Sequence, residues 1–188
     1  MSSLRLEHTP IRDLVVIAPP VFDDERGYFF ESYNARILCE IGIAQNFVQD
    51  NESRSKRGVL RGLHMQKERP QAKLVRVVEG EIFDVAVDAR PESSTFGEWY
   101  GIFLSGENKK QLYIPEGFLH GFLTLSDEAI FAYKCSDYYA PHDECGVRFD
   151  DSDIGISWPF DISGEPIISP KDMKNTSFEE FSVECREK

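Results

Sequence analysis

The chain is short of the features that would assign it quickly. Its 188 residues hold only four cysteines, Cys39, Cys135, Cys145 and Cys185, scattered and without a C-x-x-C pair. That spacing excludes a disulfide framework and a structural zinc site, and it fits reduced thiols in the cytoplasm. Positive charge is scarce: 21 Lys and Arg stand against 33 Asp and Glu, a formal net charge of −12. Nucleic acid calls for a basic face, and none is visible. An anionic ligand would need a local cluster of Arg and Lys to overcome the overall field. No apolar run approaches the roughly 18 residues of a membrane span. Residues 1–7 lack the apolar centre of a signal peptide, so a cytoplasmic protein with no membrane partner is expected. No repeat, low-complexity stretch or linker interrupts the chain, and a single domain over residues 1–188 is expected.

What is present reads as short strands. Residues 13–18, 27–33, 74–78, 82–88, 99–104, 111–114, 121–125 and 129–135 are rich in β-branched and aromatic side chains. In the run 82–88, Phe83, Val85 and Val87 share one face, while Asp84 and Asp88 share the other. Gly80, between two β-rich runs, reads as a hairpin turn. One helix is expected over residues 34–41, with Ile37, Leu38 and Ile41 on one side and Gly42 as its stop. Many short strands at similar spacing predict an all-β sandwich or barrel. The barrel core is expected over about 11–160; the loop-rich tail, 161–188, is expected to pack on it or fray.

Two histidines sharpen this. Small β-barrels of the cupin type, which are jelly rolls, resemble the chain in two places. The pattern G-x5-H-x-H falls on Gly58 to Gln66 and P-x-G-x2-H on Pro115 to His120. The second histidine of the first pattern is here Gln66, and Thr124 stands where that fold often has Asn. A divalent transition metal usually takes three or more good ligands. Two histidines and a glutamine are a poor set, so no metal is expected. His64 is then free to carry protons.

Seven segments, in order, are similar to one family. They are Asp24-Glu25-Arg26-Gly27-Tyr28-Phe29-Phe30-Glu31, Phe47-Val48-Gln49-Asp50-Asn51, residues 58–64, residues 80–88, residues 114–122, Tyr133-Lys134-Cys135-Ser136-Asp137-Tyr138-Tyr139, and Ile168-Ser169-Pro170-Lys171-Asp172. They resemble the dTDP-4-dehydrorhamnose 3,5-epimerases over residues 11–172. The resemblance implies a dTDP-4-keto-6-deoxy-hexose substrate and epimerisation at C3 and C5 in rhamnose biosynthesis, without a cofactor. A 4-ketone acidifies both neighbouring C–H bonds, because the carbanion delocalises into an enolate. The chemistry needs a base, an acid on the other face, and donors for the enolate oxygen.

By the same resemblance His64 is the base, Asp172 its orienting carboxylate, Tyr133 the acid and Lys73 the enolate stabiliser. Arg26, Arg61 and Lys171 would meet the diphosphate or sugar. Glu31, Gln49 and Asn51 suit the base and hydroxyls. Tyr139 and Phe29 would cover the thymine, and His120 and Glu144 complete the pocket. Read alone, each has a plainer alternative: a packed barrel histidine, a core strand tyrosine, a solvated lysine, an exposed loop glutamate, and for His120 a scaffold hydrogen bond. The resemblance further implies a homodimer whose N-terminal strands cross to the partner, so that Arg26 and Phe29 serve the neighbouring pocket. Met65, Leu119 and Ala72 depart from the family's usual residues near the site. Epimerisation at one carbon only therefore stays open, as do a metal-dependent cupin and a non-catalytic sugar-nucleotide binder.

Overall fold

A computed structural model describes residues 4–186, with side chains as far as Glu184. Its first half contains β1 (Arg5–His8), β2 (Val15–Ala18), β3 (Phe22–Asp24), β4 (Gly27–Phe29), α1 (Ala35–Glu40), β5 (Gln49–Lys56), β6 (Val59–Gln66), β7 (Lys73–Glu79) and β8 (Glu81–Asp88). The second half adds β9 (Trp99–Ser105), β10 (Gln111–Ile114), β11 (Phe118–Thr124), β12 (Glu128–Cys135), β13 (Glu144–Gly146), α2 (Phe160–Ser163), β14 (Ile167–Ile168), a 3-10 turn at Asp172–Lys174, and α3 (Phe178–Arg186).

Two sheets face each other. The first runs β1-β2-β10-β7-β12-β5 and the second β13-β6-β11-β8-β9. Inward side chains of both, including Val75, Val77, Ile82, Leu112, Phe122 and Phe131, form one buried cluster. Phe122 and Phe131 meet across it with ring centres 4.5 Å apart. Burying a side chain of that size contributes about 1.5–3 kcal/mol. The fold is the cupin-type jelly roll.

The turn expected at Gly80 is a corner between sheets. β7 belongs to the first sheet and β8 to the second. At Gly80 φ is +80°, and a Cβ there would lie 2.1 Å from the Glu128 carbonyl oxygen. Only glycine lets the chain bend against β12 at this point. The alternation in β8 is also inverted from its usual meaning. Phe83, Val85 and Val87 point outward, into a second cluster with Trp158, Phe178 and Phe181. Asp84 and Asp88 are fully buried. Asp88 accepts hydrogen bonds from Arg90, Ser93 and Thr95. The C-terminal segment thus covers the outer face of the second sheet, and it does so with α3 rather than with loop alone.

Other elements were hidden or misjudged. β5 and β6 have no clean apolar alternation. Along β5 the less exposed positions are Gln49, Asn51, Ser53 and Ser55, which carry polar groups inward. The strand expected over 27–33 stops at Phe29 and pairs only with β3. Asn34 then caps α1, its Oδ1 accepting from the amides of Arg36 and Ile37. The helix itself lies where expected, with Leu38 buried beside Ile43 and Tyr33 on the outer face of the first sheet.

Candidate active site

A cavity of about 620 Å³ opens between the sheets, a volume that suits a small organic ligand. Gln49 and Asn51 come from β5, Arg61 and His64 from β6, Lys73 from β7, His120 from β11 and Tyr133 from β12; Tyr139, Glu144 and Asp172 complete the expected lining. β6 and β11 bring the two histidines together as directly paired residues, His64 opposite His120. The strands approach so closely at Gly62 that a Cβ there would lie 2.6 Å from the Gly121 Cα.

His64 Nε2 lies 2.8 Å from Asp172 Oδ1. Asp172 also accepts from the Gly62 amide, and its own amide donates to Ser169 Oγ. Burial pushes the Asp172 carboxyl up, but the hydrogen bonds and charge of His64 and the other donors outweigh it and hold it below the usual carboxylate range. An ionised carboxylate only accepts, so Nε2 carries the proton and Nδ1 is the ring nitrogen left for chemistry. Glu144 Oε1 lies 3.9 Å from Nδ1.

Glu144 is no free loop residue. It begins β13, paired with Gln66, and its side chain is mostly buried. It accepts from the Tyr139 hydroxyl at 2.8 Å and is paired with Lys171 Nζ. Burial raises its carboxyl, but Lys171, Tyr139 and His64 together bring it below the usual range. The Tyr139 hydroxyl is pushed up, first by its hydrogen bond to Glu144.

Tyr133 projects from the first sheet, across the cavity from His64. Burial, aided by the neighbouring Cys135, pushes its phenol up, so it holds its proton well past neutrality. Lys73 sits directly opposite Cys135 in the β7–β12 pairing. It is partly buried, not a solvated surface lysine. No hydrogen bond or ion pair to its ammonium is present among the described residues. Burial pushes its pKa down against the pull of Cys135, Asp84 and Glu144. His120 is buried and hydrogen-bonded to Asp84; burial pushes it down as well. Arg61 is exposed at the rim, its Nε donating to Ser55.

Gln66, which stands at a ligand position of the cupin pattern, turns to the backbone. Its amide nitrogen donates to the Arg69 carbonyl, and its oxygen accepts from the Ala140 amide. The donor set around His64 is thus two imidazoles whose Nε2 atoms are both engaged by carboxylates.

Four expected residues lie outside the cavity wall. Lys171 is held at its rim by Glu144. Arg26, Phe29 and Glu31 are elsewhere in this chain, on and just after the exposed β3–β4 ribbon. Arg26 pairs with Asp24, Glu31 accepts from Asn34, and Phe29 is 69% exposed. Conversely, reading the sequence left out Asp84, Ser53, Gln71 and Ser169. Asp84 alone carried a signal, an acidic residue inside a strongly apolar strand, but the alternation does not say which face turns inward.

The barrel gathers a histidine–carboxylate pair, a tyrosine and a lysine around one cavity, a set suited to moving protons. The family model for dTDP-4-dehydrorhamnose 3,5-epimerase matches residues 8–180. A dTDP-4-dehydrorhamnose 3,5-epimerase of Methanothermobacter thermautotrophicus is 55% identical over 172 residues, covering 92% of this chain and 93% of its own. A crystal structure of the Legionella pneumophila dTDP-6-deoxy-D-glucose-3,5-epimerase, in complex with dTDP-4-keto-L-rhamnose, superposes with a TM-score of 0.93 at 48% identity, over 97% of this chain and 96% of that one. A 3'-monoepimerase from Streptomyces bikiniensis, in complex with dTDP-quinovose, has a TM-score of 0.87 at 32% identity, over 94% and 90% of the two chains. The chain belongs to the dTDP-4-dehydrorhamnose 3,5-epimerase family.

Proposed function

We propose that the chain epimerises dTDP-4-dehydro-6-deoxy-D-glucose at C3 and C5, giving dTDP-4-dehydro-L-rhamnose for rhamnose biosynthesis. The observation that carries this reading is the His64–Asp172 pair facing Tyr133 across one cavity. His64 Nδ1 removes the proton, and Asp172 stabilises the imidazolium that results. Lys73 stabilises the enolate oxygen at C4; no hydrogen bond or ion pair holds its ammonium among the described residues. Tyr133, whose phenol stays protonated, returns a proton from the opposite face. Identity above 50% to a double epimerase, against 32% to the monoepimerase, supports reaction at both carbons.

Arg61 and Lys171 take the diphosphate, Arg through its planar fork. Tyr139 stacks on the thymine, with Gln49 and Asn51 on its polar edge. No cofactor or metal takes part. The first test is turnover of the purified chain followed by NMR of the product. Activity should be unchanged after exhaustive chelation; loss of activity restored by a divalent metal would overturn this part of the mechanism.

The working unit is a homodimer of single-domain chains, and Arg26, Phe29 and Glu31 complete the partner's pocket. Their exposure on and just after a ribbon apart from both sheets supports this, because among the described residues none of the three lines the cavity of its own chain. Co-assembling a His64→Asn chain with an Arg26→Ala chain tests it. In the mixed dimer one pocket carries both defects and the other carries none, so activity should recover to about half of the wild-type value per mixed dimer. If Arg26 serves its own chain, each pocket keeps one defect and no recovery follows. The free thiols of Cys39 and Cys135 support a cytoplasmic setting; the side chain of Cys185 lies outside the described residues. No helix among the described residues is long and apolar enough to cross a membrane.

A further inference from the structure

The cavity holds a second histidine–carboxylate pair that the proposed proton transfers do not use. His120 Nε2 lies 3.1 and 3.0 Å from the two oxygens of Asp84. Asp84 is fully buried, and His120 is its one side-chain hydrogen-bond partner among the described residues. His120 is 7% exposed and borders the cavity, and its ring stacks on Phe131 at 6.0 Å. Its Nδ1 has no hydrogen-bond partner among the described residues. A carboxylate that spans Nε2 with both oxygens can only accept, so it dictates which ring nitrogen bears the proton.

We infer that Asp84 is a positioning residue: it holds His120 as the Nε2–H tautomer and presents Nδ1 to the cavity as an acceptor for a hydroxyl of the bound sugar. The inference rests on the epimerase reading for the identity of the ligand, though not for the tautomer. Burial disfavours the imidazolium and so supports a neutral ring at neutral pH. An acceptor beside His64 completes a division of labour between the paired rings. Nδ1 of His64 takes the carbon-bound proton, and Nδ1 of His120 fixes the sugar by a hydroxyl. A buried acceptor of this kind also discriminates against sugars lacking that hydroxyl, because an unmet polar group in a dry site costs free energy.

Long-range nitrogen–proton NMR on the ligand-free protein tests the tautomer, with His120 assigned by its loss in His120→Asn. The expected spectrum has a protonated Nε2 and a bare Nδ1. Asp84→Asn should mix the tautomers, since an amide can either accept from or donate to Nε2. That variant should lose about ten- to a hundredfold in kcat/KM while its dTDP affinity stays within about twofold. Adding it to His120→Asn should cost nothing more. A wild-type ring protonated at Nδ1, or full additivity of the two substitutions, overturns the inference. The wild-type spectrum stands even if Asp84→Asn fails to fold. It uses no sugar, so absence of turnover would count against the epimerase reading and leave the tautomer result intact.

Discussion

Replacing His64 with Asn should lower kcat by about 10³- to 10⁴-fold and leave dTDP binding within about twofold. Asparagine keeps a polar side chain that ends where the ring's Nδ1 stands, short of the Nε2 that bonds Asp172. It has no basic nitrogen, so the carbon-bound proton cannot be taken. The loss should fall on kcat and kcat/KM together, because proton removal belongs to the transition state and contributes little to ground-state binding. Stopped turnover with retained nucleotide affinity, measured by calorimetry, also excludes a purely binding protein. A His64→Asn variant with near wild-type kcat would remove His64 from the role of base. Asp172→Asn is the companion: with the ring no longer held against a carboxylate, kcat should fall, though less than on loss of the base itself.

Replacing Lys73 with Met should cost about 10²- to 10³-fold in kcat, the usual scale for removing one donor from a developing oxyanion. Met keeps most of the stem and removes the charge. The pH profile supplies an independent check. Burial lowers the Lys73 pKa, so its ammonium is lost at a lower pH than that of a free lysine, near 10.4. Burial raises Tyr133, so its phenol stays protonated beyond the usual value near 10. Both groups act in their protonated forms. The alkaline fall of kcat/KM should therefore come first from Lys73, below the ordinary lysine range, and it should be absent from the residual activity of Lys73→Met. An alkaline limb unmoved by that substitution would assign it to another group.

Strand content and helix α1 were legible because their signals are local. Runs of β-branched and aromatic residues, the apolar face of Ile37, Leu38 and Ile41, and the Gly42 stop each act within a few residues. β5 and β6, which carry much of the cavity wall, were not. Their inward positions hold Gln49, Asn51, Arg61 and His64, and a strand that lines a polar cavity has no hydrophobic period to read. Gly80 looked like a hairpin because glycine reports positive φ, not which sheet the next strand joins. Alternation along β8 separates Asp84 and Asp88 from Phe83, Val85 and Val87 but does not say which set turns inward; lone acids seldom do, and here His120 and Arg90 compensate them.

The pairing of His64 with Asp172 spans 108 positions of sequence, and no local pattern links the two. The family resemblance put them together, and the 3-10 turn at Asp172–Lys174 delivers the carboxylate to β6. Departures near the site fall mostly outside its wall: Leu119 and Ala72 are buried away from the cavity, whereas Met65 borders it. The reshaping expected at those positions therefore narrows to one side chain. That is consistent with unaltered double epimerisation.

The most direct measurement is proton NMR of dTDP-4-dehydro-6-deoxy-D-glucose incubated with the enzyme in D2O. The account predicts deuterium at both C3 and C5, with the inverted product accumulating. Deuterium at one carbon alone would contradict double epimerisation, and deuterium at neither, with dTDP still bound, would contradict the proton-transfer chemistry itself.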